Sequence, residues 1–136
     1  MTNDTRMPSS FDVLIIGSGS AGFAAAEAAR AEGASVCLVE KAELGGECPN
    51  WACVPSKALL RAARAAREAR SAPSYGVSSG GLHVDWPKVM EYRKRVVDSI
   101  TGGDGSRYVK LAAKLGVEIV RGTAAFLDAN TVDVGG

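Results

Sequence analysis

Gly17-Ser18-Gly19-Ser20-Ala21-Gly22 stands between the apolar run Phe11-Asp12-Val13-Leu14-Ile15-Ile16 and a stretch of small residues from Ser20 to Arg30. The apolar run is short and ends at glycine, which predicts a buried parallel strand. Ala24, Ala25, Ala26, Ala28 and Ala29 predict a helix packed very close to a sheet, and Gly33 sits where such a helix stops. Ser35 to Val39 then read as a second strand, closed by Glu40. The order is a βαβ opening, and the hexapeptide is a G-x-G-x-x-G in the position where that pattern binds dinucleotides. Gly17 allows the tight turn, Gly19 lets backbone approach a pyrophosphate, and Gly22 lets helix and strand touch. The amides of Ser20, Ala21 and Gly22, at the positive end of the helix dipole, suit a diphosphate. Glu40, 18 residues beyond Gly22, is placed to accept from ribose hydroxyls, and its charge repels a 2′-phosphate, which excludes NADP at this site. These residues leave FAD and NAD equally open; a plain glycine turn is the alternative.

Downstream lies Gly45-Gly46-Glu47-Cys48-Pro49-Asn50-Trp51-Ala52-Cys53-Val54-Pro55-Ser56-Lys57, in a loop expected over Lys41 to Trp51. Cysteines five positions apart on a regular helix are separated by roughly 7.5 Å of rise alone. A disulfide tolerates a Cα separation of about 7 Å at most. If Cys48 and Cys53 bridge, the backbone between them is irregular, and Pro55, which cannot donate to the carbonyl of Trp51, favours that. A helix is expected from about Pro55 to Arg70. It leaves Cys53 beside a helix N-terminus with the Lys57 cation one turn on, a setting that lowers a thiol pKa and suits dithiol–disulfide exchange. Two unpaired cysteines are the bland alternative. Cys37, Cys48, Cys53 and His83 do not have the spacing of a zinc site, and no metal ligands are assigned.

Further along, Ser71 to Gly81 read as a flexible link. Asp85 caps a helix from Trp86 to about Ile100, with Pro87 in its first turn. Three glycines interrupt it over Thr101 to Ser106, and a helix resumes through Leu115 to Gly116. A third strand follows over Val117 to Val120. Ala124 to Leu127 and Thr131 to Val134 form an antiparallel hairpin around Asp128-Ala129-Asn130. Lys57, Arg61, Arg64, Arg67 and Arg70 make a basic stripe at helical spacing, read as a solvated face. Cys37 reads as a core thiol, and Trp86, Tyr92 and Tyr108 as helix-packing residues.

The 136 residues suffice for one ordinary domain, and residues 1–10 read as a disordered tail. A net charge of +1 removes the electrostatic footprint of a general nucleic-acid binder. Apolar runs are too short to span a bilayer, and no secretory signal is present. Three cysteines are too few for a disulfide scaffold, which points to a cytoplasmic protein with a redox pair and one buried thiol.

The cysteine segment, together with Gly17–Gly22 and Glu40, strongly resembles the class I FAD-dependent pyridine nucleotide–disulfide oxidoreductases. That group includes dihydrolipoamide dehydrogenase, glutathione reductase and mercuric reductase. The usual pattern there is Gly-Gly-Thr-Cys, an aliphatic residue, Asn, two variable residues, Cys, an aliphatic residue and Pro-Ser-Lys. The resemblance extends through Arg121-Gly122-Thr123-Ala124-Ala125-Phe126. It implies an α/β, Rossmann-like FAD-binding domain over 11–136: a parallel sheet with a βαβ opening, a redox helix and a C-terminal hairpin. It further implies that the dinucleotide is FAD. Gly17, Gly19, Gly22 and Glu40 would hold its ADP half, Lys41 and Gly45-Gly46 would line the same cleft, and the Ala124 main chain would touch adenine. By the same resemblance Cys48 and Cys53 form the redox disulfide. Cys53 is the flavin-proximal, charge-transfer thiol, Cys48 the interchange thiol, and Lys57 stabilises the reduced, anionic flavin. Here Glu47 stands where Thr is usual, Pro49 where an aliphatic residue is usual, and Trp51-Ala52 at the variable pair.

In such an enzyme NAD(P)H reduces FAD, FAD reduces the disulfide, and the dithiol reduces a small disulfide, lipoamide or mercuric ion. Full-length relatives are homodimers with a separate NAD(P)H domain and an interface domain, whose His–Glu pair comes from the partner subunit. His83 fits no such motif and reads as an incidental loop residue. The expectation is therefore an incomplete FAD domain, inactive alone, whose strand edges are left unpaired. The alternatives are a non-enzymatic dithiol module binding soft metal ions and a truncated remnant.

Overall fold

The computed structural model describes residues 10–78 and 80–135. The tail expected over 1–10 thus lies, apart from Ser10, outside the described residues. The chain divides into two compact units: one runs to Ala42 and resumes at Lys110, and the other is Glu43–Val109.

In the first unit, β1 (Val13–Ile16), β2 (Val36–Glu40) and β3 (Glu118–Arg121) form an all-parallel sheet with β2 in the centre. Val13 is in register with Val36 and Cys37 with Glu118. β2 is buried at every residue, with Leu38 fully so, as a strand paired on both edges and covered on both faces should be. β1 departs from the expected buried strand: Leu14 is 38% and Ile16 50% exposed. It is an edge strand, and only its Val13–Ile15 side is half-buried. Ile15 lies against α1 (Ser20–Ala31), 3.5 Å from where a Cβ on Gly22 would stand. The alanines of α1 do not all pack as expected. Phe23 and Ala26 are its buried residues, and Ala24, Ala25 and Ala28 face solvent. At the strand entrances the Asp12 carboxylate accepts from the Ser35 amide (2.7 Å) and hydroxyl (2.6 Å). The hairpin forms as expected from β4 (Thr123–Phe126) and β5 (Val132–Gly135), paired antiparallel.

The second unit is helical. Where a loop was expected over Lys41 to Trp51, a one-turn helix, α2 (Glu47–Asn50), forms. α3 (Cys53–Ser71) begins two residues before the expected Pro55, placing that proline in the first turn, where its missing N–H interrupts nothing. Lys57, Arg61, Arg64, Arg67 and Arg70 are all exposed, while Pro55 and Ala58 are buried. The expected link after Ser71 starts as a 3₁₀ turn, Ala72–Tyr75. α4 (Trp86–Thr101) packs on α3, and its Asp85 cap accepts from the Lys88 amide at 3.2 Å. Trp86 is not a packing residue as expected but largely exposed. α5 (Ser106–Leu115) carries Tyr108 in this unit, and Gly116 stops it with φ +69°.

Candidate functional site

The first unit holds the glycine turn between β1 and α1. Gly17 has φ +100°, which L side chains rarely adopt. At Gly22 any Cβ would overlap the carbonyl oxygen of Gly17, so this glycine is required by the fold. Gly19 differs: it is the N-cap of α1, and a Cβ there would meet nothing within 4 Å. No side chain caps the helix, and no acidic residue stands in its first turn. The first-turn amides of Ser20, Ala21 and Gly22 thus head an uncapped helix start beside open space, the environment that receives an anion.

Glu40 closes this turn from the end of β2. Its Oε2 accepts from the Ser18 amide (2.9 Å) and from the Ser18 hydroxyl (2.6 Å), and its Oε1 accepts from the Ala42 amide (2.8 Å). Ser18 is fully buried, and Glu40 is 8% exposed. Burial pushes the carboxyl up, but the Ser18 hydroxyl and the Ser18 and Ala42 amides outweigh it and hold it below the ordinary glutamate value. Ser18 was not singled out by sequence reasoning, although it is the first variable position of the glycine motif. Lys41 is exposed beside Glu40, and Ala124 is half-buried in β4 opposite Val134. The Gly122 amide, just before β4, donates to the Glu40 carbonyl at 3.0 Å.

In the second unit Cys48 lies in α2 and Cys53 opens α3. Between them Trp51 and Ala52 leave helical geometry, with Ala52 at φ −113° and ψ −90°. This break is the irregularity that a Cys48–Cys53 bridge would require. Both cysteines are exposed free thiols, and the expected Cys48–Cys53 disulfide is not formed. The Cys53 side chain is hydrogen-bonded to Cys48, and this bond, burial and the charge of Cys53 push the Cys48 thiol above its ordinary value. Lys57 and the amide of Cys53 act the other way, favouring a Cys48 thiolate.

The loop into α2 is held by residues to which sequence reading gave no part in the site. Asn50 Nδ2 donates to the carbonyls of Leu44 (3.0 Å) and Gly46 (2.8 Å). The Tyr108 ring occupies the space a Gly45 side chain would need. Burial and the charge of Cys48 push the Tyr108 phenol above its ordinary value. Cys37 is a separate, buried thiol in β2. His83 is exposed. Among the described residues, no group of three or more His, Cys, Asp or Glu could hold a metal ion. No helix among them is long and apolar enough to cross a membrane.

A glycine turn at an uncapped helix start, answered by an acid on the next strand, and a vicinal dithiol at a helix N-terminus define a nucleotide-binding redox protein. The match of residues 11–136 to the family described as pyridine nucleotide-disulphide oxidoreductase makes this specific: the chain belongs to that family. It is 39% identical to the dihydrolipoyl dehydrogenase of Bacillus subtilis (strain 168), over 93% of this chain and 26% of that protein. With the mercuric reductase of Streptomyces lividans the identity is 42%, over 91% of this chain and 26% of the relative. With that of Staphylococcus aureus it is 35%, over 98% and 24%. The chain thus spans about a quarter of the length of these relatives. Family membership agrees with the recognition drawn from the redox segment and with the incomplete Rossmann-like α/β fold. The family is one of FAD-dependent oxidoreductases with NAD(P)H as electron donor.

Proposed function

We propose that this chain is the FAD-binding, dithiol-bearing part of an enzyme that passes electrons from NAD(P)H to a small disulfide or to mercuric ion. The observation that carries this reading is the placement of Cys48 in α2 and Cys53 at the start of α3 on either side of a break in helical geometry. Gly17, Gly19 and Gly22, with the first amides of α1, receive the diphosphate. Glu40 is the acid that accepts from a ribose hydroxyl. Lys41 and the Ala124 main chain complete the binding surface of this unit, and Gly45 and Gly46 are further proposed FAD contacts. The open space at Gly19 supports a group approaching the backbone there, since the fold does not require glycine at that position.

When bound, FAD would supply the electron pair that returns the disulfide to the dithiol, with Cys53 as the flavin-proximal thiol and Lys57 stabilising the reduced flavin. Cys48 is the interchange thiol. Its thiolate attacks one sulfur of the substrate disulfide, and the other sulfur leaves and takes a proton. Cys53 then gives up its proton and attacks Cys48 Sγ, releasing the second substrate thiol and leaving the Cys48–Cys53 bond. Lys57 and the Cys53 amide favour the attacking thiolate. With mercuric ion the two sulfurs are ligands instead. A cytoplasmic setting suits a pair that works as a dithiol, and homodimerisation belongs to the longer protein. Turnover with NAD(P)H needs chain outside these residues; the match to only about a quarter of each relative supports this.

The test is an absorption spectrum after incubation with FAD and gel filtration, followed by dithionite titration. The reading expects a retained flavin band and long-wavelength charge-transfer absorbance on two-electron reduction. A folded, colourless chain that binds Hg(II) stoichiometrically replaces it with a dithiol metal-binding module, and an unfolded, colourless chain with a truncated remnant.

A further inference from the structure

α2 is one turn long, and Glu47 O accepts from the amides of Trp51 (2.8 Å) and Ala52 (2.9 Å). So short a helix has no cooperative stability of its own. Cys48 depends on it, because the thiol reaches Cys53 only while the turn is wound. Asn50 is the one residue of α2 whose side chain ties the turn to the loop before it, using both protons of its amide on the Leu44 and Gly46 carbonyls. The orientation is chemically determined, since the amide oxygen cannot face two carbonyls.

On the functional reading above, we propose that Asn50 is a positioning residue for Cys48: its carboxamide clamps the Leu44–Gly46 loop to α2 and thereby sets how favourably Cys48 and Cys53 bridge. Leu44 is buried, so its end of the clamp is anchored. Without the amide protons the loop carbonyls turn to water, α2 unwinds part of the time, and Cys48 leaves Cys53. The loss falls on ring closure rather than on the chemistry of either thiol.

The experiment equilibrates the 136-residue chain with oxidised and reduced glutathione. Two protein S–H groups become one S–S bond as one oxidised glutathione becomes two thiols. Acid quenching and maleimide counting give the equilibrium constant. Asn50→Ala is expected to lower it about tenfold, which raises the reduction potential by about 30 mV. Asn50→Asp places a carboxylate against two carbonyls near pH 7 and is expected to lose at least as much. Near pH 4, the ordinary aspartate value, its carboxyl gains a proton about half of the time and one donor returns, so its deficit relative to wild type at the same pH is expected to shrink. A folded Asn50→Ala chain within twofold of wild type overturns the proposal. If that variant does not fold, Asn50→Asp decides, and a deficit that ignores pH overturns it. A wild-type chain that forms no reversible disulfide removes the functional reading itself; one that bridges while the variants bridge equally well removes only the role of Asn50.

Discussion

Ser18 gives both of its donors to one oxygen of Glu40, the amide at 2.9 Å and the hydroxyl at 2.6 Å, joining the glycine turn to the end of β2. The bonds are buried and charge-assisted, so they shape the turn before any nucleotide arrives. The acid of the motif therefore has an internal task as well as the ribose one proposed for it.

The pH dependence follows from the lowered Glu40 carboxyl. A carboxyl that binds its proton less tightly folded than unfolded contributes stability above its unfolded value, and that contribution is lost as pH falls through the folded value. Wild type should thus melt at lower temperature below the ordinary carboxylate range. Glu40→Gln should melt lower than wild type at neutral pH and show a smaller further loss on acidification. Thermal melts of both chains at neutral and acidic pH check this, and parallel curves would refute it.

Two glycines of one motif should fail differently. Gly22→Ala forces a methyl into the Gly17 carbonyl, with a cost of roughly 2 kcal/mol or more. Gly19→Ala meets open space and should leave the melting temperature within a degree or two of wild type. It should still weaken FAD binding about tenfold or more, because the methyl lies where the diphosphate approaches. Melting curves and flavin fluorescence titration separate the two effects.

The thiol pair should respond to its neighbours in opposite directions. Lys57→Met removes a cation that favours the Cys48 thiolate, so the pH midpoint of Cys48 alkylation should rise. Cys53→Ala removes the hydrogen bond and charge that disfavour it, so the midpoint should fall. Iodoacetamide rates across pH, read by peptide mass spectrometry, give both shifts.

Arg30 joins α1 to the segment entering β3. Its Nε donates to the Leu115 carbonyl at 3.1 Å and its Nη1 to the Ala34 carbonyl at 2.5 Å. Arg30→Met leaves both carbonyls without that donor and should cost roughly 2 kcal/mol. Arg30→Lys cannot span both, and denaturant unfolding should place it between wild type and Met.

Much of the fold was legible because its signals are local. The glycine hexapeptide after an apolar run, the Asp85 cap and the Asp128–Asn130 turn each act within a few residues, and their elements formed where expected. The irregular backbone between Cys48 and Cys53 was legible too, since helix rise and disulfide reach conflict at that spacing. Leu14 and Ile16 were misread as buried because an apolar run carries no mark of whether the strand beside it is central or at an edge. α2 was read as loop because its glycines and proline dominate a local reading, and the Asn50 bonds that hold it are side chain to backbone.

By itself the sequence determined the βαβ order and set out the glycine motif and the Cys48–Cys53 spacing, since these rest on residue type and position along one chain. Tertiary structure alone decided that Ser18 occupies Glu40, that Tyr108 lies against Gly45, and that β2 rather than β1 is the buried centre of the sheet. Those relationships join residues 22 and 63 positions apart or depend on which strand finds two neighbours. Such contacts arise from chain reversal and burial, and neither is encoded in a short window of residues.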